Sequence, residues 1–164
     1  MKATGIVRRI DDLGRVVIPK EIRKTLRIRE SDPLEIFTDR EGEIILKKYS
    51  PIGELGNFAK QYAESLAQTT GHSICITDRD QIIATAGGVK REYVGRPISG
   101  SLESLIEERE SVLHNQADKE HVDILEINEE KRAQVISPIL CEGDAIGAVV
   151  LMGKSDKVQM GETE

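Results

Sequence analysis

Residues 13–27 read LGRVVIPKEIRKTLR, a short apolar run followed by a strongly basic one. The β-branched residues from Arg15 to Ile18 are typical of a strand. Pro19 fits the first position of a following helix, where its missing N–H has no intrahelical partner. We therefore expect a strand over Arg15–Ile18 and a helix over Lys20–Leu26.

The expected helix carries four cations at positions i, i+3, i+4 and i+7: Lys20, Arg23, Lys24 and Arg27. Residues at that spacing share one face of an α-helix, and burial of Ile22 and Leu26 on the opposite side directs the cations outward. Close like charges repel each other, and approaching phosphates relieve that repulsion. The spacing alone leaves two interpretations open, a solvated surface and a phosphate-binding surface.

Positive charge is concentrated at one end of a chain whose formal net charge is −6. Residues 1–48 carry twelve Lys or Arg against nine Asp or Glu, whereas residues 49–164 carry eleven against twenty. Within residues 1–29 the count is nine basic against three acidic side chains. Residues Lys2–Ile10 alternate loosely, as in a strand, so Arg8 and Arg9 there and Arg15 on the next predicted strand would extend the basic stripe. This asymmetry favours a nucleic-acid-binding surface near the N-terminus.

Further along the chain, strands over Pro33–Thr38 and Glu43–Lys48 are expected to form a hairpin around the charged turn 39–42. Residues 49–53 then break the pattern where the charge changes sign. We assign residues 1–50 to a first domain, 51–55 to a linker and 56–164 to a second domain. About fifty residues bury too little apolar surface to be comfortably stable alone, so we expect the first domain to dimerise.

The second domain has the pattern of an α+β fold, with a central antiparallel sheet flanked by helices. Apolar residues at helical spacing predict a helix over Gly56–Thr70, with Gly71 as its C-terminal stop. The remaining predicted elements are strands over Ser73–Thr77, Gln81–Ala86, Val122–Ile127, Ala133–Leu140 and Ala145–Met152, and a helix over Leu102–Glu110. The glycine-containing segment Gly87–Ser101 could shape a pocket for a small ligand. The alternative is a ligand-free domain used only for oligomerisation, and the sequence leaves both open.

Motifs for enzymatic chemistry are missing from the sequence. It contains no GxxxxGK[ST] phosphate loop, no GxSxG elbow and no HExxH zinc helix. Four polar residues in one stretch fit no standard metal spacing and are interpreted as loop residues: His114, Asp118, His121 and Asp123. We therefore expect a protein that is not an enzyme and that has no cofactor and no metal site.

No run of residues reaches the roughly 20 apolar positions that a membrane-spanning helix needs, and the first twenty residues lack the apolar stretch of a signal peptide. We therefore expect no membrane partner and a cytoplasmic location.

Four stretches of the first fifty residues resemble the AbrB-type DNA-binding domain: MKATGIVRRI (1–10), LGRVVIPKEIR (13–23), LEIF (34–37) and IILKKY (44–49). The resemblance implies a dimeric swapped-hairpin β-barrel that binds double-stranded DNA. It places the DNA-contacting arginines at Arg8, Arg15 and Arg23, with Lys24 where an arginine is common, which keeps the charge but loses the bidentate guanidinium. Together with the spacing, the expected DNA-binding residues are Arg8, Arg9, Arg15, Lys20, Arg23, Lys24 and Arg27.

The whole chain resembles the branch of this family that joins an AbrB-type domain to a GAF-like sensor domain in endospore-forming bacteria. The matching stretches in the second half are the helix Gly56–Thr70, GHSI (71–74), SPI (137–139) and GDAIGAVV (143–150). The resemblance implies a sequence-specific regulator that activates and represses sporulation genes in the developing spore. It also implies a homodimer through the first domain, and a homotetramer through the GAF-like domain remains open.

One departure and two alternatives accompany this resemblance. The family branch ends in a long helix after its last strand, and here the chain stops at Glu164, where Met160-Gly-Glu would begin that helix, so we expect the helix to be missing. AbrB-like barrels also occur in antitoxins, which usually carry a short disordered toxin-binding tail. A non-specific DNA-binding protein is the other alternative.

Overall fold

The computed structural model describes residues 6–126, 131–155 and 157–161, and the chain divides into two compact units, Met1–Tyr49 and Ser50–Glu164. In the first unit, helix α1 (Lys20–Thr25) precedes two strands, β1 (Leu34–Thr38) and β2 (Ile44–Lys48). The bounds of these three elements agree with those predicted from the sequence to within one residue at each end. The predicted helix and hairpin are therefore confirmed.

The hairpin turn is organised by one carboxylate. Asp39 Oδ1 accepts hydrogen bonds from the backbone N–H groups of Glu41 and Glu43, both at 2.9 Å. Gly42 adopts a φ of 84°, a left-handed conformation that favours glycine. The turn sets the register, in which Leu34 pairs with Lys48 and Thr38 with Ile44.

The strand predicted over Arg15–Ile18 is not found in the single chain. A tight turn precedes this segment, with Gly14 at a φ of 76° and the backbone N–H of Asp11 bonded to the carbonyl of Arg15 at 3.0 Å. No backbone ladder follows it among the described residues. A strand exists only where another strand supplies hydrogen bonds, so its β-branched sequence is not sufficient here.

The second unit consists of a five-stranded antiparallel sheet in the order β4-β3-β7-β6-β5, with helices on both faces. Its strands are β3 (Ser73–Asp78), β4 (Ile82–Ala86), β5 (Val112–His114), β6 (Gln134–Cys141) and β7 (Asp144–Met152). Its helices are α2 (Pro51–Glu54), α3 (Gly56–Thr70) and α4 (Gly100–Glu108), and a single 3₁₀ turn covers Arg91–Tyr93. The α+β class and the central antiparallel sheet are confirmed.

Two apolar clusters, one on each face of the sheet, form the core of this unit. On one face, Ala59, Ala63 and Ala67 of α3 pack with Ile74 and further apolar residues. On the other face, Leu102 and Ile106 of α4 pack with Cys75, Ile82, Ile98 and Val150. We call the second one the α4-face cluster. The sheet is therefore buried on both sides.

Three expectations for the second unit differ from the structure. No strand covers 122–126, because Ile124 and Leu125 are buried as loop residues, and residue 127 lies outside the described residues. The short strand β5 is at Val112–His114 instead. Residues 51–54 of the expected linker form α2, whose Ile52 is buried in the second unit.

The C-terminal residues follow β7 without a helix in the ranges 153–155 and 157–161. Met160 is nevertheless buried, and its backbone N–H donates to Asn115 Oδ1 at 3.0 Å. In the part of the chain that the structure describes, no helix has both the length and the apolar character needed to cross a bilayer.

Candidate nucleic-acid interface

Helix α1 presents three of the predicted DNA-binding cations. It begins directly after Pro19, whose carbonyl accepts the first intrahelical hydrogen bond from the backbone of Arg23 at 3.0 Å. Lys20, Arg23 and Lys24 lie on this helix and are exposed. Because positions three and four apart share a face, the helix presents them as one cationic stripe.

Arg27 does not belong to that stripe. The helix ends at Thr25, Leu26 forms its C-cap, and Arg27 adopts a φ of 52°. The prediction that Arg27 continues the helical face is therefore wrong, because a left-handed residue turns the chain away from the helix axis. Arg27 remains exposed, at the exit from α1.

Lys48 holds this exit, a role that the sequence analysis missed. Its Nζ donates to the carbonyl oxygen of Arg27 at 2.8 Å and lies 3.6 Å from Asp32 Oδ2. The Asp32 side chain is only 4% exposed, and the same Oδ2 accepts from the backbone N–H of Arg29 at 2.8 Å. Lys48 is thus a structural cation that joins β2 to the end of α1. Nothing in the sequence next to Lys48 indicates that its side chain contacts residues so far away along the chain.

Arg15 is oriented by Asp11 in the turn before α1. Asp11 Oδ1 accepts from the backbone N–H groups of Leu13 and Arg15 at 3.0 and 2.8 Å, and Oδ2 accepts from Arg15 Nε at 2.8 Å. The hydrogen bond from the Arg15 backbone, followed by the one from its side chain, lowers the pKa of the Asp11 carboxyl. Both side chains are solvent-accessible, that of Arg15 at 70%. The sequence predicts Arg15 as a DNA-binding residue but not its orientation by Asp11.

Arg8 and Arg9 are exposed in the segment 6–10, which forms no strand in a single copy. All seven predicted cations are therefore solvent-accessible. The single chain brings three of them together on α1, places Arg15 in the preceding turn and leaves the other three on flanking segments. An exposed cationic surface of this kind can bind phosphates without any covalent chemistry.

The first unit has almost no core of its own. Among its described residues, 6–49, Pro19 is the one apolar residue that is buried. Large apolar side chains are instead open to solvent, with Val7 at 89%, Val17 at 72%, Leu13 at 70% and Ile36 at 69% exposed. Exposed apolar surface on this scale marks an interaction site.

The structure does not gather the four polar residues of the region 114–123 into a metal cluster. Among the described residues, the group with metal-type ligand atoms within 4.8 Å of one another is Asp39, Glu41 and Glu43. Asp39 already accepts two backbone hydrogen bonds in the hairpin turn. These carboxylates are therefore accounted for by the turn.

Two family models match the chain, one for each part. Residues 54–164 match the model described as stage V sporulation protein T C-terminal, transcription factor. Residues 7–54 match the model described as antidote-toxin recognition MazE, bacterial antitoxin. The division between the two matches lies close to the boundary between the two structural units.

Similar proteins support the same division. The chain is 57% identical over 165 aligned residues to stage V sporulation protein T of Bacillus subtilis, covering all of this chain and 90% of that protein. It is 67% identical over 51 residues to the transition state regulatory protein AbrB of Bacillus subtilis, covering 31% of this chain and 52% of that protein.

One solved structure resembles the second unit in fold. The GAF domain of an Acinetobacter phosphoenolpyruvate-protein phosphotransferase has a TM-score of 0.52 at 18% identity, over 71% of this chain and 74% of that one. At this identity the likeness concerns the fold alone. The expected GAF-like fold of the second unit is therefore confirmed.

Proposed function

Because the chain belongs to the stage V sporulation protein T family, we propose that it is a DNA-binding regulator of sporulation genes. The single observation that carries this proposal is the exposed cationic stripe of α1, with Arg15 beside it, in a chain that is acidic overall. The proposed partner is double-stranded DNA, so the chain would act in the cytoplasm, and by family membership in the developing spore. No part of this function requires catalysis.

Phosphate contacts would supply most of the affinity, and arginines reaching base edges would supply part of the specificity. Lys20 and Lys24 suit the phosphate role as compact point charges, whereas Arg15 and Arg23 can make bidentate contacts with guanine. Since Arg15 Nε is bonded to Asp11, its two Nη groups would make the DNA contact. Arg8, Arg9 and Arg27 would add phosphate contacts around the stripe.

Dimerisation of the first unit is the second part of the proposal. In one copy, residues 6–10 and 15–18 have no strand partner among the described residues, and their apolar side chains are exposed. A second copy would offer both the missing hydrogen bonds and an apolar surface, as in a swapped-hairpin barrel. The dimer would present two cationic stripes, which suits a two-fold symmetric operator.

The outer face of α3 supports a further contact between copies. Leu55, Phe58 and Tyr62 are 57%, 61% and 52% exposed, and the rings of Phe58 and Tyr62 stack with centroids 6.0 Å apart. These side chains lie on the solvent-exposed side of α3, next to the stripe of its buried alanines. We infer that this face pairs between GAF-like units and converts the dimer into a tetramer. Sensing of a small ligand by the same unit is compatible with that role.

The match of residues 7–54 to an antitoxin family model favours one second candidate, a toxin-neutralising protein. The feature that argues against it is the second unit, a folded domain with its own two-sided core, because antitoxins of this type usually end in a disordered tail. A stably co-purifying toxin would replace the regulatory proposal with this candidate.

The test is a gel-shift salt titration of the full chain and its Arg23→Ala variant, with molecular mass measured in parallel. We expect the variant to lose about 1–3 kcal/mol of binding free energy, while its mass and thermal unfolding stay unchanged. Wild-type affinity should fall steeply with salt, by about 0.9 logarithmic units per phosphate contact for each tenfold increase.

Lys119→Ala is the matched control, because it removes an exposed cation from the second unit. Its affinity should equal that of the wild type. Equal losses in both variants, or an affinity independent of salt, would contradict the proposed interface. A non-specific DNA-binding protein would show the salt dependence without discriminating between operator and random duplex.

A further inference from the structure

Two buried threonine hydroxyls on the sheet face that carries the α4-face cluster have no hydrogen-bond partner among the described residues. Thr77 is 0% exposed and Thr85 is 9% exposed, and their Oγ1 atoms are buried without a partner. Buried polar groups are nearly always paired, since an unpaired one loses its hydrogen bonds to water with no replacement. Two such groups on one sheet face require an explanation.

Strand register places both hydroxyls on the same face. Thr85 of β4 pairs directly with Cys75 of β3, and Thr77 of β3 pairs with Ile82 of β4. Directly opposed residues share a face of an antiparallel sheet, and Cys75 and Ile82 belong to the α4-face cluster. On its other side Thr77 pairs with Ala148, whose side chain is a single methyl group. The two hydroxyls therefore flank Cys75 on a patch of small and aliphatic side chains. We call this patch, formed by Cys75, Thr77, Ile82, Thr85 and Ala148, the floor.

The segment 87–99 lies between β4 and α4 and is fastened to the sheet at both ends. Near its start, the Ser73 hydroxyl donates to the carbonyl of Gly87 at 2.9 Å. Near its end, the N–H of Gly95 donates to Ile82 at 2.8 Å, and that of Ile98 donates to Asp80 at 2.9 Å. Between these points the regular structure is one 3₁₀ turn, whose Tyr93 packs against the α4-face cluster. Through Tyr93 and the buried Ile98, segment 87–99 therefore contributes to the α4-face cluster.

The residues around Thr77 and Thr85 restrict the charge of any molecule that could bind to their hydroxyls. Among the buried residues that the structure describes in the second unit, Asp78 is the one charged residue. Its carboxylate is already bound by the Ser50 hydroxyl and by the backbone N–H groups of Asp80 and Gln81. A buried anion or cation on the floor would lack a counter-charge, which is costly in an apolar environment. An uncharged occupant avoids this cost.

We propose that Thr77 and Thr85 form the polar end of a site for a small uncharged molecule that carries an oxygen acceptor on an aliphatic body. The site lies on the sheet face beneath segment 87–99. Both hydroxyls donate to the oxygen, and the aliphatic part packs on the α4-face cluster. This inference names the ligand class for the sensing role proposed above, and it makes no use of the DNA-binding surface.

The first arm of the test asks whether the hydroxyls are unpaired in the ligand-free full chain. Thr77→Val and Thr85→Val keep the side-chain shape and remove the hydroxyl, so neither variant should have a lower Tm than the wild type. Thr70→Val is the control, because the Thr70 hydroxyl donates to the carbonyl of Leu66 at 2.8 Å. The control should unfold at a lower temperature. Equal lowering of the Tm in all three would mean that the floor hydroxyls are paired, for instance with ordered water, and would overturn the proposal.

The second arm uses isobutyramide as an uncharged probe and isobutyrate as its charged counterpart. In the full chain with labelled isoleucine methyl groups, isobutyramide should shift the NMR signals of Ile82 and Ile98. The signals of Ile74 and Ile76, on the opposite face, should stay in place. The Thr77→Val/Thr85→Val double variant should lose the response, and isobutyrate should produce none.

Absence of a response to isobutyramide, or an equal response to isobutyrate, would overturn the proposal. Gel shifts without the probe report on the cationic surface alone. Failure of this site and failure of DNA binding are therefore seen separately.

Discussion

The two units of this chain show opposite relations between sequence and burial. The second unit buries apolar side chains on both faces of its sheet, whereas Pro19 is the one buried apolar residue among residues 6–49 of the first. The first unit is nevertheless rich in valine, isoleucine and leucine. One unit is thus stabilised within a single copy, while the other has the composition of a core that a single copy does not assemble.

The largest loss of stability is expected from a substitution in the core of the second unit. Leu102 is fully buried in the α4-face cluster, so Leu102→Ala should reduce the free energy of unfolding by about 2–5 kcal/mol. Urea titration followed by circular dichroism measures the loss. Leu140→Ala, at a 55% exposed position, is the control and should change stability by less than about 0.5 kcal/mol. If Leu102→Ala lowers the free energy of unfolding no more than the control does, the second unit is not stabilised by its own core.

A smaller effect is expected from a substitution in the first unit. It should change the stability of the dimer and leave the fold of one copy unchanged. Val17 is 72% exposed in one copy, so Val17→Asp would be harmless to a monomer. If a partner covers Val17, the unpaired carboxylate should weaken the dimer by roughly 100-fold, about 2.8 kcal/mol. Sedimentation equilibrium measures the dissociation constant.

Val94→Asp serves as the comparison for Val17→Asp, since Val94 is 47% exposed in the second unit. It should leave the dissociation constant of the dimer unchanged. An unchanged dissociation constant for Val17→Asp would contradict the claim that a second copy covers the exposed apolar side chains of the first unit.

The smallest effect concerns Asp11, which orders Arg15 within one copy. Its lowered pKa means that the carboxylate stabilises the turn at neutral pH and that this contribution disappears as the pH falls through the lowered folded-state pKa. The amide signals of Leu13 and Arg15 should therefore shift together at a pH below the ordinary range for aspartate. NMR titration of the wild type and of Asp11→Asn checks this, and the variant should show no such transition. A transition that persists in the variant would assign it to another group.

Local pattern was enough to predict much of the second unit. Helix α3 occupies Gly56–Thr70 as expected, because alanines and larger apolar residues recur at helical spacing and Gly71 adopts the left-handed C-cap conformation. The strand predicted over Val122–Ile127 was wrong because Ile124 and Leu125 supply apolar side chains to the core from a loop. Strand β5 was missed because three residues are too short for an alternating pattern to stand out.

The candidate DNA-binding site was predicted in composition but not in geometry. Spacing identified Lys20, Arg23 and Lys24, and the structure places all three on α1. Spacing alone also assigned Arg27 to that helix, but it gives no information on where a six-residue helix ends. The Lys48–Asp32 contact joins distant parts of the unit, so no local motif could reveal it.

Whether a second copy completes the first unit can be measured by hydrogen exchange of the backbone amides of Val16, Val17 and Ile18, on the full chain over a range of concentrations. These amides belong to no strand in a single copy. We predict slow exchange at concentrations where the dimer forms and fast exchange on dilution below its dissociation constant. Fast exchange at every concentration, or protection that does not depend on concentration, would contradict the claim that the DNA-binding unit is completed only by a second copy.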